Sequence, residues 1–185
     1  MKRRAFSLVE LLVVVAIIAV LATLATGGFT SAVQSGKVEQ AGHTVLDEIE
    51  KARQVAAVRG KTAEVRIFKN TGATHYTGMQ VWLVSPAEPA SRLVKFPESV
   101  ALLDDPNLSP WLGQMTPGSM PVGGEATDYL AFKVRPSGAI DPAPPDRNKL
   151  FLTVAADRTT ADSKPSNYAT IQLNPDTGRP LLYRP

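Results

Sequence analysis

The sequence contains no cysteine, which excludes a disulfide framework and any metal site built on thiolates. Histidine is also scarce, because only His43 and His75 occur, and they are not spaced as ligands of one metal ion. The sequence has no G-x-S-x-G nucleophile motif and no phosphate-binding loop. We therefore predict that the protein is not an enzyme and has no cofactor and no metal site.

A basic surplus is missing from most of the chain. The net charge of +3 equals the contribution of Lys2, Arg3 and Arg4, and removing them from the 20 Lys and Arg leaves 17, against 17 Asp and Glu. Binding to nucleic-acid phosphates requires a basic stripe on one surface. The balanced remainder therefore predicts no nucleic-acid partner.

One long apolar run is present near the beginning. Residues 11–22 are all apolar, and the wider run 6–29 contains few interruptions: Ser7, Glu10, Thr23, Thr26, Gly27 and Gly28. A helix crosses a bilayer with about 20 mostly apolar residues, and preceding cations favour the cytoplasmic side. We expect residues 6–28 to form a single-pass helix in the lipid of the cytoplasmic membrane. The remainder would then lie on the extracytoplasmic, or periplasmic, side.

Two ordinary interpretations of this run remain open. A cleaved secretory signal could use the segment "ATLATGG" as its processing site. A plain signal anchor explains the length and the cations, but it leaves Glu10 unexplained. An acid within a membrane span costs about 2.5–3.5 kcal/mol on insertion scales, and such residues are usually functional.

The stretch "RRAFSLVELLVVVAIIAVLA" resembles the type IV prepilin motif of pilins and type II secretion pseudopilins. The resemblance implies a leader of residues 1–5, which prepilin peptidase removes by cleavage between Ala5 and Phe6. It also implies N-methylation of Phe6, with Glu10 as the fifth mature residue. The family usually has Gly before the cut, where this chain has Ala5. The partners implied are other pilins or pseudopilins, through the N-terminal helix, and an inner-membrane assembly platform.

The position of Glu10 fits this resemblance physically. Cleavage would create an ammonium group at Phe6, and staggered packing of helices would bring Glu10 of one subunit to the amine of a neighbour. A buried charge is tolerated when it is paired, and removing one partner leaves the other charge buried without a counter-charge. The alternative is that Glu10 only extends to the cytoplasmic interface near Arg4.

The helix is predicted to continue to about Arg59, with residues 29–60 forming an amphipathic half that Gly60 caps. Apolar residues there follow steps of three and four, and they form one stripe: Val38, Ala41, Val45, Ile49, Ala52 and Ala56. On the opposite side we expect the ion pairs Asp47–Lys51 and Glu50–Arg53. A sheet should pack against the stripe.

Residues 61–185 change to alternating patterns that predict strands. These patterns are "TAEVRIFK", "MQVWLVS", "YLAFKVR", "KLFLTVAA", "YATIQLN" and "PLLYR". The segments "RPSG" and "NPDTGR" are turn signals, and successive hairpins favour an antiparallel sheet. The predicted fold class is therefore α+β, with a long N-terminal helix packed on an antiparallel β-sheet head.

Residues 85–125 contain seven prolines and four glycines, so we expect a mostly irregular insertion with one short strand in "SRLVKFP". Trp111 is a candidate partner contact there, and the alternative is local packing that fastens the loop. Asp104 and Asp105, near Asn107, could attract a cation, but an Asx turn is favoured.

A second resemblance comes from "ARQVAAVRGKTAEVRI", "LAFKVRPSGAI" and "ATIQLNPDTGRPLLY", which are similar to minor pseudopilins of the GspH and FimT type. The "AFSLVE" start is also similar to the Verru_Chthon cassette protein D family. We find no C-terminal calcium loop like that of the major pseudopilin. The resemblance implies a structural subunit of a type II secretion or type IV pilus-like filament.

Two other function classes remain. One is a membrane-anchored binding module that uses the 85–125 insertion, and the other is a tethered hydrolase whose titratable cluster only folding would assemble.

Overall fold

A computed structural model describes residues 8–69, 72–141, 146–157 and 165–184, and within α1 the side chains of residues 22–29 lie outside the described part. The chain divides into two compact units, Met1–Gly36 and Lys37–Pro185. The expected leader and the cleavage position between Ala5 and Phe6 lie outside the described residues.

One α-helix, α1, spans Leu8–Arg59. It ends where Gly60 takes a positive φ of 60°, a conformation that glycine adopts without the steric penalty of a Cβ. The N–H of Gly60 donates to the carbonyl of Ala57, and the N–H of Lys61 donates to the carbonyl of Ala56. These two bonds form a Schellman cap, so the predicted cap is confirmed.

The described part of the chain contains eleven strands, and every pairing between them is antiparallel. They are β1 (Ala63–Lys69), β2 (Gly78–Leu83), β3 (Glu88–Pro89), β4 (Val94–Lys95), β5 (Val100–Leu102), β6 (Thr116–Val122), β7 (Glu125–Val134), β8 (Ile140–Asp141), β9 (Phe151–Ala156), β10 (Tyr168–Leu173) and β11 (Pro180–Tyr183). Two short 3-10 helices cover Leu112–Gln114 and Arg147–Lys149.

The strands form two sheets. The first has the order β3-β2-β1-β7-β6, with β4 also on β2 and β8 also on β7. The second has the order β11-β10-β9-β5. An isolated antiparallel bridge links Leu102 of β5 to Tyr76, which lies in the connection between β1 and β2. The predicted α+β class with an antiparallel head is confirmed.

The helix stripe supplies one side of the core. Its six predicted residues are all 0% exposed: Val38, Ala41, Val45, Ile49, Ala52 and Ala56. They belong to one cluster with Val65 of β1 and Ile171 of β10, so the helix and both sheets share a core. On the polar side of the helix, the expected pair between Glu50 and Arg53 forms.

The expected ion pair between Asp47 and Lys51 is wrong, because Lys51 pairs with Glu48 instead. Glu48 is only 2% exposed, and its second carboxylate oxygen accepts a hydrogen bond of 3.0 Å from the Ser91 hydroxyl. The segment that carries Ser91 covers Glu48, and a covered carboxylate needs a cation more than an exposed one does.

Both predicted turns occur, and each has glycine at positive φ. Gly138 has φ of 89° between β7 and β8, and Gly178 has φ of 61° between β10 and β11. Arg53 of α1 donates to the carbonyl of Thr177 at 2.7 Å, which fastens the second turn to the helix.

The 85–125 insertion is more regular than its composition predicts, since it contains β3, β4, β5 and β6. All three residues of β5 are buried, and β5 ends the second sheet. Pro117 and Pro121 lie within β6, which is tolerated because β6 is at the edge of the first sheet and, among the described strands, pairs with β7 alone. The prolines at positions 117 and 121 therefore belong to an edge strand rather than to an irregular loop.

Gly42 lies where the helix closely approaches the second sheet. A Cβ at this position would lie 3.0 Å from the Ala169 Cβ and 3.1 Å from a Leu182 methyl group. We expect Gly42→Val to destabilise the head by about 1–3 kcal/mol through overpacking. Urea unfolding of the detergent-solubilised chain measures the change.

Gly36→Val is the matched control, because a Cβ at Gly36 has no atom within 4 Å and both variants make the same replacement in the same helix. Equal unfolding midpoints for the two variants would contradict a close approach at Gly42.

Candidate functional site

The described first part of α1 has no polar face. Between Leu8 and Leu21, eleven large apolar side chains are 45–79% exposed: Leu8, Val9, Leu11, Leu12, Val13, Val14, Val15, Ile17, Ile18, Val20 and Leu21. A helix that is apolar all round is typical of segments covered by lipid or by other helices. This surface, which we call the apolar segment, is the principal candidate site.

A shallow groove runs along the apolar segment. Its lining residues are all apolar: Leu12, Val13, Ala16, Ile17, Val20 and Leu21. The small side chain of Ala16 lies between larger neighbours, which lets another helix approach closely. The groove therefore offers packing rather than hydrogen bonding.

Glu10 is the one acidic residue of the apolar segment, and it lies exposed on the helix between Val9 and Leu11. Its helical position places it on the same surface that the apolar side chains occupy. A carboxylate in this setting is costly in lipid unless a cation meets it. Phe6, whose amine is the expected cation, lies outside the described residues.

In the part of the chain whose side chains are described, no helix meets the length and apolarity needed to cross a bilayer. Residues 22–29, which belong to the expected span, have no described side chains.

Trp111 lies in the core of the head. It is 2% exposed, and its ring centroid is 4.3 Å from that of Phe132. A buried indole presents no surface to a partner, so this position agrees with local packing, the alternative that the sequence left open. The ring anchors the insertion to β7 and thereby positions the segment before β6.

The acidic stretch of the insertion forms the expected Asx turn. The Asp105 carboxylate accepts from the N–H of Asn107 at 2.7 Å and from that of Leu108 at 3.2 Å. Asp104 instead meets the ammonium group of Lys69 at 2.9 Å. In the described residues, no three His, Asp or Glu side chains converge as a metal site would require.

The two histidines occupy separate places. His43 is exposed on α1, whereas His75 is buried and its Nδ1 accepts from the backbone N–H of Asp104 at 3.0 Å. Next to it, burial raises the pKa of Tyr76 to about 12, with the charges of Asp104 and Asp128 adding to the effect. A phenol that ionises only at such high pH is a poor general base at neutral pH.

A cation–aromatic cluster on the outer face of the first sheet was missed by the sequence reasoning. The Arg66 guanidinium lies 4.1 Å from the Trp82 ring centroid and 4.8 Å from that of Tyr129. Glu64 accepts from Arg66 at 2.7 Å, so the charge is paired within the cluster. Gly118 makes room for Tyr129, since a Cβ there would be 2.5 Å from the ring.

Alternation predicts Glu64 and Arg66 on one face of β1, but the aromatic partners come from β2 and β7. No local signal pairs these strands, and only the register of the sheet brings the rings over Arg66. The cluster is internally satisfied, and we assign no chemistry to it.

Comparison with known proteins finds a family match near the start of the chain. Residues 1–26 match the family model described as the prokaryotic N-terminal methylation motif. This motif is typical of precursors of type IV pilin-like proteins, which are membrane-anchored and structural. No curated protein and no solved structure matches the chain. The match covers the apolar segment and Glu10, and it does not reach the head.

Proposed function

We propose that this chain is a non-enzymatic structural subunit, a minor pseudopilin or pilin-like protein, of a type II secretion or type IV pilus-like filament. The observation that supports this best is the methylation motif at residues 1–26, which overlaps the exposed apolar segment of α1 and its single acid, Glu10. Such a surface suits burial among the helices of other subunits.

In this proposal prepilin peptidase cuts between Ala5 and Phe6 on the cytoplasmic side, and the new amine of Phe6 is methylated. Lys2, Arg3 and Arg4 hold the N-terminus in the cytoplasm before cleavage. The head then lies in the periplasm or its equivalent, and the helix remains in the cytoplasmic membrane until assembly.

Assembly would pair the Glu10 carboxylate of one subunit with the Phe6 amine of a neighbour. Pairing neutralises both charges in a medium of low dielectric constant, where an isolated charge is strongly disfavoured. The pair would fix the axial register of neighbouring helices, because any other stagger leaves the acid without its cation. The inner-membrane assembly platform would supply the motion.

The alternative of a membrane-anchored binding module depended on a partner contact in the 85–125 insertion. Trp111 is buried, and much of the insertion pairs into the two sheets. No observation on the described residues favours that alternative over a filament subunit.

Mass spectrometry of the protein purified from its native membrane tests the processing step. We expect a mature chain that begins at Phe6 and carries one added methyl group. A chain that begins near Gly27 would indicate a secreted domain and contradict the proposal.

Ala5→Gly is the useful companion variant, since it restores the residue that the family usually has before the cut. We expect processing of this variant at least as complete as that of the wild type. Retention of residues 1–5 in both proteins, within a working filament, would also contradict the proposal.

A further inference from the structure

The edges of the two sheets differ in their ability to pair with another strand. In the first sheet, β6 carries Pro117 and Pro121, which lack the N–H that strand pairing uses. The other strands at the edges of that sheet, β3, β4 and β8, are each only two residues long. In the second sheet, the outer edge of β5 is already occupied, because Leu102 exchanges backbone hydrogen bonds with Tyr76 at 2.9 and 3.1 Å.

The remaining edge is that of β11, which pairs with β10 on one side and with no other described strand. The N–H of Asn174 donates to the carbonyl of Arg179 at 3.0 Å, whereas the N–H of Leu173 points away from Pro180 and donates to the carbonyl of Leu150 at 2.9 Å. Leu173 and Pro180 are thus a pair without hydrogen bonds between them, and the next pair, Gln172 and Leu181, is a hydrogen-bonded one. Because such pairs alternate along an antiparallel ladder, Leu181 bonds to β10 and Leu182 directs its N–H and carbonyl outward. Pro180 lies at another outward position, where its missing N–H costs the ladder nothing.

The side chains along this edge favour one kind of occupant. Leu181 is 59% exposed and Tyr183 is 51% exposed, and both lie on the outer face of the sheet. Arg179 is exposed on the same face as Leu181 and Tyr183, two residues before Leu181. Among the ion pairs of the described residues, none contains Arg179. An added strand would therefore meet two apolar side chains and one cation.

We propose that the edge of β11 adds an extended segment of a partner protein as a fifth, antiparallel strand of the second sheet. The segment carries apolar residues opposite Leu181 and Tyr183 and a carboxylate opposite Arg179. A second copy of β11 is a poorer occupant, because its sequence "GRPLLYRP" contains two arginines and no acid.

A synthetic peptide, acetyl-Thr-Val-Thr-Val-Thr-Glu-amide, reproduces this chemistry and serves as the probe. In the antiparallel register its third residue lies opposite Leu182, the two valines lie opposite Tyr183 and Leu181, and the glutamate lies opposite Arg179. We expect saturable binding to the detergent-solubilised full chain, measured by the fluorescence anisotropy of labelled peptide.

Two changes to the peptide distinguish backbone pairing from nonspecific binding. N-methylation of the third residue removes the donor to the Leu182 carbonyl, and we expect about fivefold weaker binding for one lost hydrogen bond. Replacing the glutamate by lysine should also weaken binding, and the difference should shrink as salt is raised.

On the protein, Leu182→Pro removes the outward N–H, and Leu182→Ala is the matched control that loses the same packing. We expect the proline variant to bind the peptide more weakly than the alanine variant, with thermal unfolding recorded for both. Absence of saturable binding, or equal binding of the N-methylated peptide, would overturn the proposal. Dimerisation of the full chain through β11, abolished by Leu182→Pro, would overturn it in favour of a second copy.

Discussion

Replacing Glu10 by leucine should abolish filament assembly while the chain still inserts into the membrane and its head still folds. In the proposed filament, the substitution leaves the Phe6 amine of a neighbouring subunit without an anion. Breaking a buried charge pair by removing one partner costs about 3–5 kcal/mol. At about 1.4 kcal/mol for each factor of ten, the association constant of each contact falls by roughly 2 to 3.5 orders of magnitude.

The experiment compares filament recovery and membrane insertion in cells that express the variant as their only copy. Glu10→Gln is the second variant, since it keeps the shape of the side chain and removes only the charge. Glu39→Gln is the matched control: it neutralises an acid of the same helix whose partner is Arg184 of the head, and it should assemble normally.

Normal filaments from Glu10→Leu would refute the role assigned to this residue. They would favour the simpler alternative that Glu10 only extends to the cytoplasmic interface. A variant that fails to insert would equally contradict the proposal, because leucine makes the segment more apolar and insertion easier.

Replacing Trp111 by alanine should have the largest effect on stability of any single change in the insertion. The ring is 2% exposed and packs on Phe132, so its removal leaves a large cavity between the insertion and β7. Deleting a buried tryptophan side chain typically costs about 3–5 kcal/mol, which is a large part of the free energy of unfolding of an ordinary domain.

Urea unfolding of the detergent-solubilised chain measures this cost. Trp82→Ala is the matched control, because Trp82 is only half-buried and mainly covers the Arg66 guanidinium. We expect its cost to be well below that of Trp111→Ala. Trp111→Phe should recover part of the lost stability by refilling some of the cavity.

The opposite pattern would be informative. If Trp111→Ala left the unfolding midpoint unchanged and removed the capture of an extracytoplasmic ligand, the binding-module interpretation would replace the structural one. The burial of the ring predicts instead that any loss of function follows the loss of folded protein.

Local features of the sequence predicted the elements that local physics controls. The stripe from Val38 to Ala56 repeats with the helical period, so it indicates both the helix and its buried face without knowledge of the partner. The helix cap at Gly60 and the turn at Gly178 could be predicted because a positive φ strongly favours glycine. The prepilin motif in residues 3–22 was recognisable because a basic leader, an apolar run and one acid follow each other along the chain without any contribution from the fold. The match of residues 1–26 to the methylation-motif family agrees with that prediction.

Features that depend on distant residues escaped prediction. Lys51 pairs with Glu48 rather than with Asp47, because Ser91 covers the Glu48 carboxylate. No pattern within α1 indicates that Ser91 lies there. The insertion looked irregular because its strands are short and contain proline, yet β5 and β6 are held by neighbours far away in sequence.

By itself, then, the amino-acid sequence determined the helix, the alternation of the strands, the turns and the processing motif, since each depends on residues within a few positions of one another. Only the tertiary structure decided that Trp111 is core, that Arg66 lies between two rings, and that β11 keeps an edge unpaired by any described strand. These outcomes depend on which strands become neighbours and in which register, and the chain fixes that choice only when the whole core packs.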